Sequence, residues 1–319
     1  MGSFFVTTPS YNQGAYLQEN INSVNSSCCN AIHCVIDGLS SDETQNILNA
    51  NDQKLSYWVS EPDSGQSEAL NKGLLRREGD YISWLNSDDY YLPNALDTVH
   101  KIFLENPNVD IIHGGSILVD AKSRKFGYDF GQADGLPYRY YSGMCFPQPS
   151  SFIRRKTFEL IGSVNKELHY AMDYELFLKL KLMGARFLKI KNLLSAYRHH
   201  DNSKTVCSPN QFAEEWCQIY CNFLHDEKSS SSAFELLKKL GLYKEQTDSY
   251  NRIRNLAPEE INLSLFYHLH YQAYFSYSAK KYCRAKDIAK TMLSLKPFTS
   301  LTIPLVKMAI LAKYKLRLK

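Results

Sequence analysis

Residues 81–89 read Tyr81-Ile82-Ser83-Trp84-Leu85-Asn86-Ser87-Asp88-Asp89. A short, mostly apolar run that stops at a polar turn predicts a buried strand ending on two adjacent carboxylates. Toward the N-terminus, three more runs of this kind appear: Leu55–Ser60, Ile32–Ile36 and Phe4–Thr8. Helical segments separate them. Gly14 to Ser27 carries Tyr16, Leu17, Ile21 and Val24 at helical spacing, and Ser67 to Leu75 predicts a short helix. Ser40 with Glu43 predicts a capping box ahead of Ile47 and Leu48. Toward the C-terminus, Pro93 opens a helix to about Leu104, and Asp110–Val119 predicts a fifth strand. Strands separated by helices of this length predict an α/β fold. The sheet should be doubly wound and mostly parallel, with right-handed crossovers and helices on both faces.

The pattern then changes. Residues 120–155 are rich in glycine, proline and aromatic residues and carry few helical signals. Lys156–Ile161 and Asp173–Met183 predict helices, with Phe187–Tyr197 as a strand after them. From Ser208 onward the chain predicts helix, broken by a loop at Ser229–Ser232. Tyr267 to Pro297 resembles one tetratricopeptide-like helix pair, with Tyr274, Tyr282, Ala285, Ala289 and a closing Pro297. One such pair cannot stack into a solenoid, so a helical appendage is expected.

Composition bounds the function. The 319 residues are 44% hydrophobic and 22% charged, which excludes a disordered or low-complexity chain. A formal charge of +4 is too mild to argue for nucleic acid as a partner. That charge is unevenly placed. The last acidic residue is Asp287, and Lys290, Lys296, Lys307, Lys313, Lys315, Arg317 and Lys319 follow it. The 8 cysteines form no disulfide framework. Cys28, Cys29, His33 and Cys34 lack paired zinc-ligand spacing, and Cys217 with Cys221, one helical turn apart, predicts core packing. No signal peptide is expected ahead of the first strand. Val6 stands where a myristoylation motif wants Ser or Thr. Leu301 to Ala312 is too short, and too broken by Pro304 and Lys307, to span a bilayer. A cytoplasmic location is expected.

In a doubly wound sheet, ligands bind beyond the carboxyl ends of the strands. Pro9-Ser10-Tyr11-Asn12 follows the first strand, Asp37-Gly38 the second, Glu61 to Gly65 the third and Asn86 to Asp89 the fourth. No G-x-G-x-x-G follows the first strand, and no P-loop motif occurs, so a nucleotide's phosphates must be neutralised otherwise. Asp88-Asp89 can hold a divalent cation that bridges phosphate oxygens. The plainer alternative is a solvated carboxylate pair near the helix that Pro93 starts.

These residues carry a resemblance. In order along residues 4–205, the chain resembles a family 2 glycosyltransferase of the GT-A fold. Thr8-Pro9-Ser10-Tyr11-Asn12, Ile36-Asp37-Gly38 and Ser60 to Gly65, running on through Ala69-Leu70-Asn71-Lys72-Gly73, match its successive nucleotide-contacting segments. Trp84 to Asp89 matches its metal-binding DXD-type motif. Phe146-Pro147-Gln148-Pro149-Ser150, Met172-Asp173-Tyr174-Glu175-Leu176 and Tyr197-Arg198-His199-His200 match its acceptor, catalytic and closing segments. The resemblance implies that Pro9, Tyr11, Asp37, Asp63, Asn71 and Asp88 contact the nucleotide-sugar donor. It implies that Asp89 and His200 hold Mn2+ or Mg2+, that Gln148 faces the acceptor, and that Asp173 is the general base. Met172 stands where the family has Glu. Asp173 can also be read as no more than a helix cap.

The expectation is therefore an inverting transferase over residues 1–205 and a helical extension over 206–319. The donor would be a nucleotide-diphosphate sugar. The acceptor would be a glycan or lipid-linked oligosaccharide in cell-surface polysaccharide synthesis. The alternatives are a catalytically silent relative that binds nucleotide sugar or a partner, and a sugar nucleotidyltransferase. After Asp287, apolar Leu305, Val306, Met308, Leu311 and Leu316 among basic residues predict either an amphipathic helix on an anionic membrane surface at the inner face, or a helix packed back with a basic rim.

Overall fold

A computed structural model describes residues 2–26, 30–76, 78–132, 137–227, 230–250 and 256–295, together with Lys307, Leu311 and Lys315. These residues separate into two compact units. One comprises residues up to 135 with 144–200, and the other comprises 136–143 with the residues from 201 onward.

The first unit opens with β1 (Ser3–Ser10), α1 (Gly14–Asn25), β2 (Asn30–Asp37), α2 (Thr44–Ala50), β3 (Tyr57–Ser60), α3 (Gln66–Leu74) and β4 (Tyr81–Trp84). These strands pair in parallel in the order β3-β2-β1-β4. Nearly every residue of β1 is buried, as expected of a strand covered on both faces. Phe4 and Val6 join Val24 of α1 on one face, and Phe5 joins Ala69 of α3 on the other. Helix α3 lies directly on β1. A Cβ at Gly73 would fall 2.3 Å from Thr7 Cγ2, so only glycine permits that approach.

β5 (Tyr90–Tyr91), α4 (Ala95–Glu105), β6 (Ile111–Val119) and β7 (Lys125–Asp129) follow, and then α5 (Pro137–Ser142), which belongs to the second unit. β8 (Ser151–Arg154), α6 (Arg155–Phe158), α7 (Met172–Leu182) and β9 (Phe187–Arg198) return to the first. The sheet continues β4-β8-β6-β9-β5, with β7 on β6. β8 runs antiparallel to both β4 and β6, whereas β6 and β9 are parallel. The fifth predicted strand, now β6, is thus kept from β4 by a strand that the pattern did not predict. β8 has four residues, and Phe152 and Ile153 are both buried, so it shows no alternation to read. The expected capping box at Ser40 is also absent. Ser40 instead gives its hydroxyl and its N–H to the buried Asp37, and Asp42 takes the N–H and hydroxyl of Thr44 at the start of α2.

The second unit adds α8 (Lys204–Cys207), α9 (Pro209–His225), α10 (Ser231–Lys239), α11 (Pro258–Ser278) and α12 (Tyr282–Leu295). Residues 120–155 hold a helix after all, α5. Pro137 opens it and Gly143 follows its last residue, but six residues are too few to show a helical period. Tyr220 of α9 stacks on His268 of α11 at 4.0 Å, and the Arg139 guanidinium lies 3.4 Å over the Tyr267 ring. The predicted helix pair is α11 and α12, starting at Pro258 and burying Ala285 and Ala289. Cys217 and Cys221 are buried. Cys28, Cys29, Ser229, Pro297 and most of the basic tail lie outside the described residues. Among the described residues no helix is long and apolar enough to cross a membrane.

Two imidazoles sit inside the sheet. Burial pushes His33 on β2 down to about 3, and burial with the Lys189 charge does the same to His113 on β6. Both stay neutral in the fold while the unfolded chain protonates near pH ~6.5. Their contribution is full above about pH 6.5 and is lost as the pH falls toward about 3, by about 1.4 kcal/mol per pH unit each. Urea unfolding between pH 7 and 5 should show that slope. His113→Phe, which keeps the stack on Phe146, should remove one proton's share of it. An unchanged slope would count against the buried neutral imidazole.

Candidate active site

Parallel pairing sets the C-terminal ends of β1 to β4 on one edge. Pro9 lies buried in β1, paired with Ile36, and Ser10 is paired with Asp37. Beyond them Tyr11 is 65% exposed, and Asn12 adopts the left-handed conformation at φ 50°. Asn tolerates that region because its side chain bonds locally. Here the Asn12 N–H donates to Ser40 Oγ (2.7 Å) and Asn12 Oδ1 accepts the Ser41 N–H (2.9 Å), which presents the Tyr11 ring to solvent.

Asp37 is wholly buried. Its oxygens accept the Ser40 N–H (3.0 Å), the Ser40 hydroxyl (2.5 Å) and the Ser60 hydroxyl (2.6 Å). Asp63 accepts the Gly65 N–H at 2.8 Å, and burial raises its carboxyl above the usual range. A Cβ at Gly38 would come within 2.9 Å of Asp63 Oδ2, so the glycine makes room for this carboxylate. Asn71 on α3 is turned elsewhere. Its amide makes a two-way clasp with the backbone of Val164, at 2.9 and 2.8 Å.

The acidic turn after β4 is the most heavily held part of the edge. It closes on itself through the Asp89 N–H to the Asn86 carbonyl (3.0 Å). From α1, Asn20 donates its two side-chain N–H groups to the carbonyls of Asn86 (2.9 Å) and Asp89 (3.0 Å). From β9, Arg198 gives its backbone N–H to Asp89 Oδ1 (2.9 Å) and its Nε–H to the Asp88 carbonyl (2.7 Å). That guanidinium is 1% exposed and also reaches Glu19 (2.6 Å), Ser123 (3.0 Å) and the Asp120 carbonyl (3.1 Å). Asp88 Oδ2 lies 3.0 Å from His200 Nε2, and the Tyr16 ring lies 5.0 Å from that imidazole. Asp89 Oδ2 is buried and meets no donor in full hydrogen-bond geometry, although the Asn86 side chain lies near enough to the carboxyl to favour its charged form. Burial, and then the Asp88 charge, hold the Asp89 carboxyl well above the usual carboxylate range. Gln148 is buried and donates to the Trp84 carbonyl at 3.0 Å, one residue before the end of the hydrophobic run that leads into the turn.

Asp173 stands at the head of α7, half-buried, with Oδ1 accepting the Tyr174 N–H (2.7 Å). Ala171, not Asp173, is the N-cap of that helix. Met172 is buried in the core. The structure thus gathers Pro9, Tyr11, Asp37 and Asp63 along the ends of β1 to β3, and Asp88, Asp89 and His200 around the turn. Asn20 and Glu19 were not anticipated. A polar residue at position 20, among Leu17, Ile21 and Val24 of a buried stripe, is the signal that marks Asn20.

The residues of the turn fit a divalent cation. An unpartnered buried carboxylate oxygen beside a second carboxylate is costly until positive charge meets it. Among the described residues no cluster of three or more His, Cys, Asp or Glu is gathered to enclose a metal. Mg2+-type sites for phosphate substrates need no such cage, since one or two carboxylates, water and the substrate supply the ligands.

Comparison with known proteins agrees with this architecture. A family profile described as Glycosyl transferase family 2 matches residues 5–162, which include the acidic turn and stop short of Asp173 and His200. An uncharacterized glycosyltransferase of Rickettsia typhi is 30% identical over 234 residues, covering 69% of this chain and 70% of that protein. One from Rickettsia felis is 28% identical over 270 residues, covering 79% of this chain, but the match spans only 44% of the relative's length. Among solved structures, S. aureus TarS in complex with UDP-GlcNAc superposes with a TM-score of 0.61 at 15% identity, over 92% of this chain and 81% of TarS. The mannosyltransferase PcManGT from Pyrobaculum calidifontis, in complex with GDP-Man and Mn2+, gives 0.52 at 17% identity, over 98% and 86%. The fold is of the GT-A type, an α/β sheet followed by C-terminal helices. With the ordered strand-end segments, the matching profile and the relatives in agreement, the chain belongs to glycosyl transferase family 2.

Proposed function

We propose that the protein transfers a sugar, with inversion, from a nucleotide-diphosphate sugar to a hydroxyl of a glycan or lipid-linked oligosaccharide during cell-surface polysaccharide assembly. Residues 1–205 would form the transferase domain and 206–319 a helical extension. The observation that carries this reading is the buried Asp89, with one oxygen unpartnered, beside the Asp88–His200 pair at the carboxyl edge of parallel strands.

Each residue has a task that suits its surroundings. Exposed Tyr11 offers a ring face on which a base can stack. Asp63 borders the same strip and would offer carboxylate oxygens to ring N–H or ribose hydroxyl groups, while the buried Asp37 would hold Ser40 and Ser60, and with them the strip, in place. Asp88, Asp89 and His200 would hold Mn2+ or Mg2+. When bound, the cation supplies positive charge against the leaving diphosphate. Gln148, buried and bonded to the Trp84 carbonyl, would serve the acceptor side only by supporting the strand beneath it. Asp173 takes the proton from the acceptor hydroxyl while that oxygen attacks the anomeric carbon and the bond to the diphosphate breaks. Met172 supplies no acid, so the base acts alone. The basic residues beyond Asp287 would hold the enzyme at the anionic inner face of the membrane, where a lipid-linked acceptor resides.

A calorimetric screen of UDP-, GDP- and dTDP-sugars with Mn2+ tests the donor assignment. One nucleotide class should bind, and Asp37→Ala should weaken it. Binding of none, or binding indifferent to Asp37, would remove the basis for the reading.

A further inference from the structure

We infer that Asn20 is a positioning residue: its buried carboxamide seats the Asn86–Asp89 turn so that Asp88 and Asp89 present their carboxylates to the cation. The inference rests on the metal reading proposed above, and it concerns a residue on α1, outside the strand-end motifs quoted from the sequence.

Asn20 is wholly buried, in the stripe of α1 that otherwise packs Leu17, Ile21 and Val24 into the core. A carboxamide there is costly unless its hydrogen-bonding groups are satisfied. Both side-chain N–H groups are spent on the turn, on the carbonyls of Asn86 and Asp89. Its oxygen must then accept, and Thr8 Oγ1 lies 3.3 Å from it. The Thr8 hydroxyl has one proton to give and donates it to Asn20, so it accepts from His33 Nε2 at 2.9 Å. His33, Thr8 and Asn20 are all wholly buried. The chain of donors therefore has one direction, from β2 through β1 and α1 to the turn, and Asn20 cannot flip its amide without reversing it.

Arg198 holds the turn from the other side, at the Asp88 carbonyl and at Asp89 Oδ1. Between them the two residues take the carbonyls of Asn86, Asp88 and Asp89 and one carboxylate oxygen. Asp89 Oδ2 is what they leave unclaimed. A hydrophobic residue at position 20 would fill the stripe equally well, but would take the donor from the buried Asp89 carbonyl and leave the Asn86 carbonyl with the Asp89 N–H alone.

The test compares the full-length protein with Asn20→Asp, Asn20→Ser and Leu17→Ala. The Asp variant keeps the shape and faces oxygen to the two carbonyls. The Ser variant keeps one short donor. Leu17→Ala damages the same helix without touching the turn. Two readouts are needed: Mn2+ affinity in the presence of UDP by electron paramagnetic resonance, and amide hydrogen exchange across residues 85–91. Outer-shell partners of metal ligands typically account for roughly 10–100-fold in affinity. Asn20→Asp should lose that much Mn2+ affinity and exchange faster at Asp89, with Asn20→Ser between it and the native chain. Leu17→Ala should lower the melting temperature but keep both readouts. Native Mn2+ affinity in both Asn20 variants, or an equal loss in Leu17→Ala, would overturn the inference. If the native chain itself binds no Mn2+, the metal reading falls and exchange decides alone. Unchanged protection at 85–91 in the Asn20 variants would then overturn the seating role as well.

Discussion

Asp173→Asn is expected to lower turnover by roughly 10²–10⁴-fold, the usual share of a general base. Donor affinity should stay near native. The substitution keeps the size of the side chain and an oxygen able to accept the Tyr174 N–H, so the head of α7 should hold its form. It removes the negative charge, and with it the capacity to take a proton from the acceptor hydroxyl. Because Ala171 is the N-cap of that helix, Asp173 is not needed to cap it. Single-turnover transfer and donor titration should therefore separate. A large loss of donor affinity with turnover retained would make Asp173 a donor-site or structural residue instead.

Removing the cation should be as severe. Treatment with a chelator should abolish transfer, and added Mn2+ or Mg2+ should restore it. In Asp89→Asn the loss should be about 10³-fold or more, in line with several kcal/mol of charge stabilisation. The Asn variant is the informative one. Its side-chain oxygen can still accept the Arg198 N–H, so the turn stays latched while its negative charge is gone. Full activity in metal-free buffer would reject the assignment outright. Native activity in the Asn variant would move the cation away from Asp89.

The sequence made the parallel half of the sheet legible because β1, β2 and β4 are apolar runs bounded by turns, with helical spacing between them. β8 was not legible, since four residues buried on both faces have no period. Ser40 misled because a serine three residues before a glutamate satisfies a local rule, whereas the buried Asp37 competes for the same hydroxyl and wins. The residues of the acidic turn could be read as a group from their place at a strand end. How the turn is held could not. Asn20 looks like an irregularity in a helical stripe, and Arg198 looks like an arginine at the end of a strand, ordinarily a solvated position. Their partners lie 66 and 69 residues away for Asn20, and up to 179 for Arg198.

That last separation bears on how the molecule is made. A chain leaving the ribosome folds from its N-terminus onward. Once Asp89 has been added, the parallel strands β1 to β4 and both aspartates have already been synthesised. The arginine that latches their turn arrives only with the last strand of the sheet, and its bond to Glu19 ties the end of that strand back to the first helix. A nascent chain stopped before β9 would therefore carry both carboxylates without the clasp that sets them. Closing a loop over such a span carries an entropic cost, so the turn gains its second anchor only once β9 has been made, and a chain stopped before β9 should bind Mn2+ more weakly than the full-length protein.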